Sequence, residues 1–312
     1  MKPEATRFIE FIAASPYYQS RIAAKATMTQ QTAILDDQIE TPTGKGSGDE
    51  NFPVASILIS ARLRPHVAKF YAFARAADDI ADNPGLGPDD KIRRLDQFER
   101  GLDGDGPAKA LALRESLTQV GVTDQHARDL LAAFRQDAVK QRYESWEDLI
   151  GYCELSANPV GRYLMDLHGE DRALWSASDA LCTVLQILNH LQDCGKDRAE
   201  MDRVYLPLDM LGDEGLDIEV LDRPASPPGL RRVIDECLDR CDAMLVQARQ
   251  RPVCPVSRRL HAETATITAL ATRLSAKLRR EDPLAGRVKL TKPDFARAAV
   301  SGLRALFTPG RG

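Results

Sequence analysis

The sequence predicts an all-α fold organised as a single-domain helical bundle, and three observations carry that prediction. From Phe52 onward, apolar residues recur with the three-to-four-residue period of amphipathic helices. No stretch alternates apolar and polar residues as a half-buried strand does, and no internal repeat is visible. Clusters of Gly, Pro and Asp, such as Gly101–Pro107 and Arg223–Gly229, cut the periodic runs into helix-sized pieces.

Taken in order, residues 1–50 stand apart. A short amphipathic stretch near Phe8–Ala14 is followed by Thr29–Gly48, which is polar and rich in Thr, Gln, Asp and Gly. Such a segment cannot bury enough apolar surface to offset ordering, so residues 1–50 read as a poorly ordered extension and 51–308 as the domain. Met28 offers an alternative start. Pro65 suits the first turn of a helix running through Asp82, and Asn83-Pro84-Gly85 ends it. Further helices are expected at 88–101, 107–120, 124–142, 146–167, 171–195, 229–249, 256–280 and 292–306. Within the fifth of these nine, Ser156–Gly161 is small and polar, which predicts a kink or a close approach.

Composition excludes several functions. A net charge of −4 leaves no polycationic surface for nucleic acid. The six cysteines form no CxxC pair and read as reduced thiols, which places the chain in the cytoplasm. No apolar run reaches the length of about 20 residues that a spanning helix needs. Gly44-Lys45-Gly46-Ser47-Gly48 lacks the strand and the Lys-Ser/Thr pair of a phosphate loop. The five histidines show neither HExxH nor Glu-x-x-His, which removes the signatures of a zinc protease and of a di-iron bundle.

Two acidic pentads remain, Asp78-Asp79-Ile80-Ala81-Asp82 and Asp193-Cys194-Gly195-Lys196-Asp197. Each stacks two aspartates four apart on one helix face. With Asp and Glu at 46 of 312 positions, either pair alone reads as a solvated surface. Both, however, end long apolar helical runs, Val67–Ala77 and Leu181–Gln192. Like charges at that spacing are destabilising, and burial makes them costly unless a cation sits between them. Mg²⁺ fits, since it prefers oxygen and is usually held by one or two carboxylates plus substrate phosphate.

Polar residues share those faces. Arg75 and Tyr71 lie three and seven residues before Asp78. Arg75 reads either as a diphosphate-binding fork or as an intrahelical partner of Asp78 or Asp79. Asn189 and Gln186 lie four and seven before Asp193, and Asn189 reads as a neutral metal ligand or as a helix–helix contact. Asp137, Tyr143 and the Ser156–Gly161 stretch, with Asn158, are further candidates. His190 reads as a packed residue.

The run Phe70–Asp82, together with Leu191–Asp197 and Arg203-Val204-Tyr205-Leu206-Pro207, resembles the squalene/phytoene synthase family over about residues 50–292. The resemblance implies the all-α isoprenoid (terpenoid) synthase fold, with Mg²⁺ as cofactor. By that match Asp78, Asp82, Asn189, Asp193 and Asp197 take the metal-binding role, and Tyr71 and Arg75 contact substrate. Arg203 and Tyr205 join the substrate contacts, with Asp137 and Tyr143.

Finer features, namely Asp49–Ser56 with Asn51 and Phe52, the Phe-Ala-Arg-Ala-Ala-Asp-Asp form, Ser156–Gly161 and Leu191-Gln192-Asp193, are similar to the branch that turns presqualene diphosphate and water into hydroxysqualene. Relatives that condense two prenyl diphosphates usually carry Leu-Arg-Asp. Gln192 thus removes one cation, which suits an enzyme handling one diphosphate. The stretch Leu270–Arg280 also lacks the tyrosine common in cyclopropane-forming relatives. The resemblance implies departure of diphosphate, rearrangement of a cyclopropylcarbinyl cation and capture by one water. Tyr71, Asn158, Gln186 and Gln192 are the candidates to place that water.

Other readings stay open: a presqualene diphosphate, squalene or phytoene synthase, and a non-catalytic helical scaffold binding prenyl lipid. Expected associations are the neighbouring enzymes of squalene synthesis and the inner face of the plasma membrane. The patches of basic residues from Arg279 to Arg304 read first as a solvated face and second as a contact for anionic lipid.

Overall fold

The computed structural model describes residues 59–250 and 256–307. Asn51 and Phe52, and the 1–50 extension, lie outside them. Among the described residues there is no strand, only an isolated bridge between Arg142 and Val204. The chain divides into two compact units, one of residues up to Lys140 with Arg162–Gly169, the other of Gln141–Gly161 with residues from Glu170 onward.

In the first unit, α1 (Arg64–Ala81) starts with Pro65 in its first turn. Its buried positions Phe70, Phe73, Ala74, Ala77 and Ala81 repeat every three or four residues and form one apolar face. That face packs on α2 (Pro88–Asp103), α3 (Ala108–Val120) and α4 (Gln125–Asp137). The Phe73 ring meets Phe98 of α2 with centroids 5.5 Å apart. Phe70 stacks on Tyr163 at 3.9 Å. Asp89 and Asp90 in the first turn of α2 complement its dipole, and Gly104 closes it in the left-handed region at φ 114°.

In the second unit, Ser145 caps α5 (Trp146–Ser156) by accepting a hydrogen bond from the Asp148 amide. The expected helix 146–167 breaks at Ala157, and α6 (Asn158–His168) begins immediately after it. Pro159 explains the break, because its ring disfavours helical geometry in the residue before it and it has no N–H to donate. At Gly161 a Cβ would run into Ser178 and come within 2.6 Å of Cys182 Sγ, so this part of α6 crosses α7 (Trp175–Met201) at close range. The helix expected at 171–195 is a 3₁₀ turn, Arg172–Leu174, followed by α7, which continues six residues further. Asp193 and Asp197 therefore share one unbroken helix.

The helix expected at 124–142 stops at Asp137, because Gln141 and Arg142 leave it to pair with the chain near Val204. Val204 N–H donates to the Gln141 carbonyl over 2.9 Å. Two short elements went unforeseen, α8 (Leu208–Asp213) and the 3₁₀ turn Ile218–Asp222. The unit is completed by α9 (Pro228–Gln250), α10 (Arg258–Leu278) and α11 (Lys292–Phe307). Helix α7 packs on α9 and α10, and α11 on α10. Gly302 permits the last contact, since a Cβ there would collide with Thr266. No described helix is long and apolar enough to cross a membrane.

Candidate active site

The first aspartate pentad lies at the end of α1. Asp78 is 2 % exposed and Asp79 8 %. Arg75 makes an intrahelical pair: its guanidinium grips Asp79, Nη2 at 2.9 Å from Oδ1 and Nε at 3.2 Å from Oδ2. Asp79 is thus neutralised by a bidentate pair one turn away. Asp78 is left with an Oδ2 that has no hydrogen-bond partner. Burial, then the Asp82 charge, push its carboxyl well above the usual range; Arg75 opposes this, while Asp79 and Asp137 add to it. Asp82 caps α1, its N–H bonded to the Asp78 carbonyl at 3.0 Å. Asp137, buried at the end of α4, faces the same negative region. Arg75 and Tyr71 are half-buried, one and two turns before Asp78.

The chemistry of this set is plain. Asp78 feels the charges of Asp82, Asp79 and Asp137 together, and Arg75 pairs with Asp79. Such a region is unfavourable in the bare protein and is relieved by protonation or by a multivalent cation.

The second pentad lies on α7. Asp193 and Asp197 are fully buried and Asn189, one turn before Asp193, is half-buried. Arg287, from the segment after α10, places Nε 3.3 Å from Asp193 Oδ1. Gln192 holds that segment, its Nε2 donating to the Val288 carbonyl over 2.6 Å. Gly195 leaves room for Leu284, whose Cδ2 would be 2.7 Å from a Cβ there. Arg203 follows α7 closely, its N–H bonded to the Asp197 carbonyl at 3.2 Å.

Further along α7, Gln186 is completely buried, and neither its Oε1 nor its Nε2 has a hydrogen-bond partner. An amide in that state costs a desolvation penalty that a water or ligand would recover. Asn158 differs, because its Oδ1 already accepts from Thr183 Oγ1 at 3.0 Å. Tyr143 and Tyr205 are brought side by side by the Arg142–Val204 bridge, rings stacked with centroids 5.4 Å apart. His190 stacks on Tyr205 at 3.6 Å, which makes it a packed residue, and Tyr152 completes the cluster.

Sequence reasoning missed Arg287 as a partner of Asp193, and Tyr152 in the aromatic cluster. Tyr152 could have been found on α5 by its spacing from Leu149 and Ser156. Arg287 could not, since the Gln192–Val288 contact joins residues 96 apart and no local pattern marks it.

Among the described residues, no three or more His, Cys, Asp or Glu side chains are grouped so that they alone could hold a metal ion. A hard cation that keeps waters and takes its remaining oxygens from a substrate phosphate does not require such a group. Cys194, between the two aspartates, is inert, its thiol pushed up to about 12 by burial.

A family model for squalene/phytoene synthase matches residues 46–294. The hydroxysqualene synthase of Rhodopseudomonas palustris is 44 % identical over 266 residues, 85 % of this chain and 91 % of that protein. That of Zymomonas mobilis is 41 % identical over 273 residues, 86 % of this chain and 90 % of that one. Among solved structures, squalene synthase from Alicyclobacillus acidocaldarius superposes with a TM-score of 0.67 at 28 % identity, covering 86 % of this chain and 96 % of its own. With the all-helical fold and two buried aspartate pairs, these likenesses lead to one conclusion: the chain belongs to the squalene/phytoene synthase family.

Proposed function

We propose that this protein converts presqualene diphosphate and water into hydroxysqualene and diphosphate, with Mg²⁺ bound by the aspartate pairs. The observation that carries the metal is Asp78, buried, with an oxygen lacking any hydrogen-bond partner and its carboxyl pushed up by burial and by the Asp82 charge. Asp78 and Asp82 on α1 would be one set of ligands for Mg²⁺, and Asn189, Asp193 and Asp197 on α7 another. When bound the ion would neutralise charge on the diphosphate oxygens and make the diphosphate a better leaving group.

The branch rests on Gln192 and on the relatives at 41–44 % identity named hydroxysqualene synthase. Gln192 contributes no charge, and its amide is engaged by Val288. Arg287 lies beside Asp193, and a neutral residue at 192 would suit an enzyme handling one diphosphate better than one handling two. The neighbouring steps would be a condensation that delivers the cyclopropane diphosphate and a reduction that consumes the alcohol.

In the reaction, the C–O bond to diphosphate breaks with both electrons leaving on the diphosphate. The cyclopropylcarbinyl cation rearranges by opening its ring, and a water oxygen bonds to the resulting carbon and loses a proton. Buried apolar side chains such as Val160, Leu185 and Leu188 would keep other nucleophiles away until capture. Gln186 is the favoured water-positioning residue, because both of its polar atoms lack partners. Arg75 would act through Asp79, fixing which carboxylates remain for the ion.

The test is product analysis of the purified protein with presqualene diphosphate, with and without Mg²⁺. Hydroxysqualene formed only with the metal supports the reading. Conversion of farnesyl diphosphate to the cyclopropane would reassign the chain to the condensing branch.

A further inference from the structure

Helix α11 carries an unused surface. Val300, Leu303 and Phe307 are 47 %, 56 % and 80 % exposed, the largest solvent-facing apolar side chains on that helix. At about 100° per residue they fall within one third of its circumference. The opposite side, Ala298, Gly302 and Ala305, is the one buried. Exposed Arg297 and Arg304 project between the apolar stripe and Ser301.

Ser301 borders a groove of about 420 Å³ formed with α9 and α10. Arg249 and Arg273 line it, with Thr264, Thr268 and Thr272. The three threonine hydroxyls donate to carbonyls of their own helix, so the donors facing the groove are the arginines and Ser301. Arg249 reaches Thr272 Oγ1, and Arg273 Nε has no hydrogen-bond partner. The sole acid on α11, Asp294, accepts from the Thr291 amide and hydroxyl at 2.9 and 2.7 Å. An apolar stripe is thus flanked on one side by cations and by a cationic groove.

We propose that this face docks on an anionic phospholipid bilayer, the stripe entering the acyl boundary and Arg297, Arg304, Arg249 and Arg273 meeting headgroup phosphates. Charge decides the occupant. A second copy pairing through the same face would set Arg297 and Arg304 against like charges, whereas an acidic headgroup layer complements them. The proposal needs no turnover and stands apart from the reaction assigned above.

The test is flotation of the full chain with vesicles of phosphatidylcholine alone and of equimolar phosphatidylglycerol and phosphatidylcholine. Binding is expected only with the anionic vesicles and is lost at high salt. Arg297→Gln/Arg304→Gln lowers the partition roughly thirtyfold, and the Lys pair restores it. Leu303→Ser/Phe307→Ser abolishes it, with thermal unfolding unchanged because all four side chains are exposed. No flotation of the wild type at low salt, or full flotation of the Arg→Gln variant, overturns the proposal. So does a wild-type dimer that Leu303→Ser/Phe307→Ser converts to monomer without any vesicle binding. Inorganic phosphate that displaces the protein from vesicles at millimolar concentration would overturn the bilayer as occupant and leave the groove a site for free phosphate.

Discussion

Gln192 Nε2 donates to the carbonyl oxygen of Val288 over 2.6 Å, and the bond ties the segment after α10 to the helix that carries the second aspartate pair. One residue along that segment, Arg287 meets Asp193. The residue that distinguishes the sequence from arginine-bearing relatives therefore holds a different arginine beside the same aspartate.

Gln192→Ala should leave the Val288 carbonyl unsatisfied in a buried place, at a cost of about 1–3 kcal/mol. Urea unfolding reads the loss, and hydrogen exchange should quicken in Leu284–Val288. Unchanged exchange there would mean that the bond does not fix the segment.

Removing Arg75 strands Asp79. Arg75→Ala is expected to cost about 3 kcal/mol or less, because the pair is mostly but not fully buried, and Arg75→Ala/Asp79→Ala should recover part of it. A double-mutant cycle by urea unfolding measures the coupling. Additive losses would contradict the bidentate pair.

Asp78→Asn removes a buried like charge. In the presence of EDTA the variant should unfold at a higher temperature than the wild type, since burial and the Asp82 charge penalise the Asp78 carboxylate. With Mg²⁺ and pyrophosphate the wild type should gain stability and the variant should not, which a thermal scan with and without the metal reads directly. Turnover of presqualene diphosphate should fall by about 10²-fold or more, the scale of losing one preorganised electrostatic group.

Glu263 offers a prediction in pH. It is 2 % exposed, in the stripe Leu260, Glu263, Ile267, Leu270, and neither carboxylate oxygen has a hydrogen-bond partner. Burial raises its carboxyl well above the ordinary 4.5. The folded state then holds the proton more tightly than the unfolded state, so stability falls as pH rises from about 4.5 through the raised folded value. Glu263→Gln should remove that slope and stabilise the protein at neutral pH. Unfolding curves across that range check it, and a Glu263→Gln variant with the wild-type pH slope would refute it.

At Gly161, alanine should cost about 1–3 kcal/mol, because its Cβ would overlap Ser178 and approach Cys182. Gly161→Ala/Ser178→Gly should recover part of that. Thermal unfolding of both variants decides.

Much of the helical framework was legible along the chain. Pro65, Gly104 and Ser145 act through bonds and dihedral angles within a turn of themselves, so the helix ends they set can be read from neighbours. Asp78 and Asp193 were visible for the same reason, each paired with a second aspartate four residues on and preceded by an apolar run that forces burial. The end of α4 was misread because no Gly or Pro interrupts Ala138–Arg142, whereas the hydrogen bond from Val204 to Gln141 draws the chain out of the helix.

The sequence by itself determined an all-α chain with two aspartate pairs at the ends of buried helices, since period, caps and i,i+4 spacing are local properties. Tertiary structure alone decided which partner each charge takes. Arg75 chose Asp79 over Asp78, Arg287 came to Asp193, and Gln186 was left buried with no hydrogen-bond partner. Those outcomes depend on side-chain rotamers and on contacts between segments distant in the chain, and the free energy of a buried charge is set by whatever the fold places within a few ångströms of it.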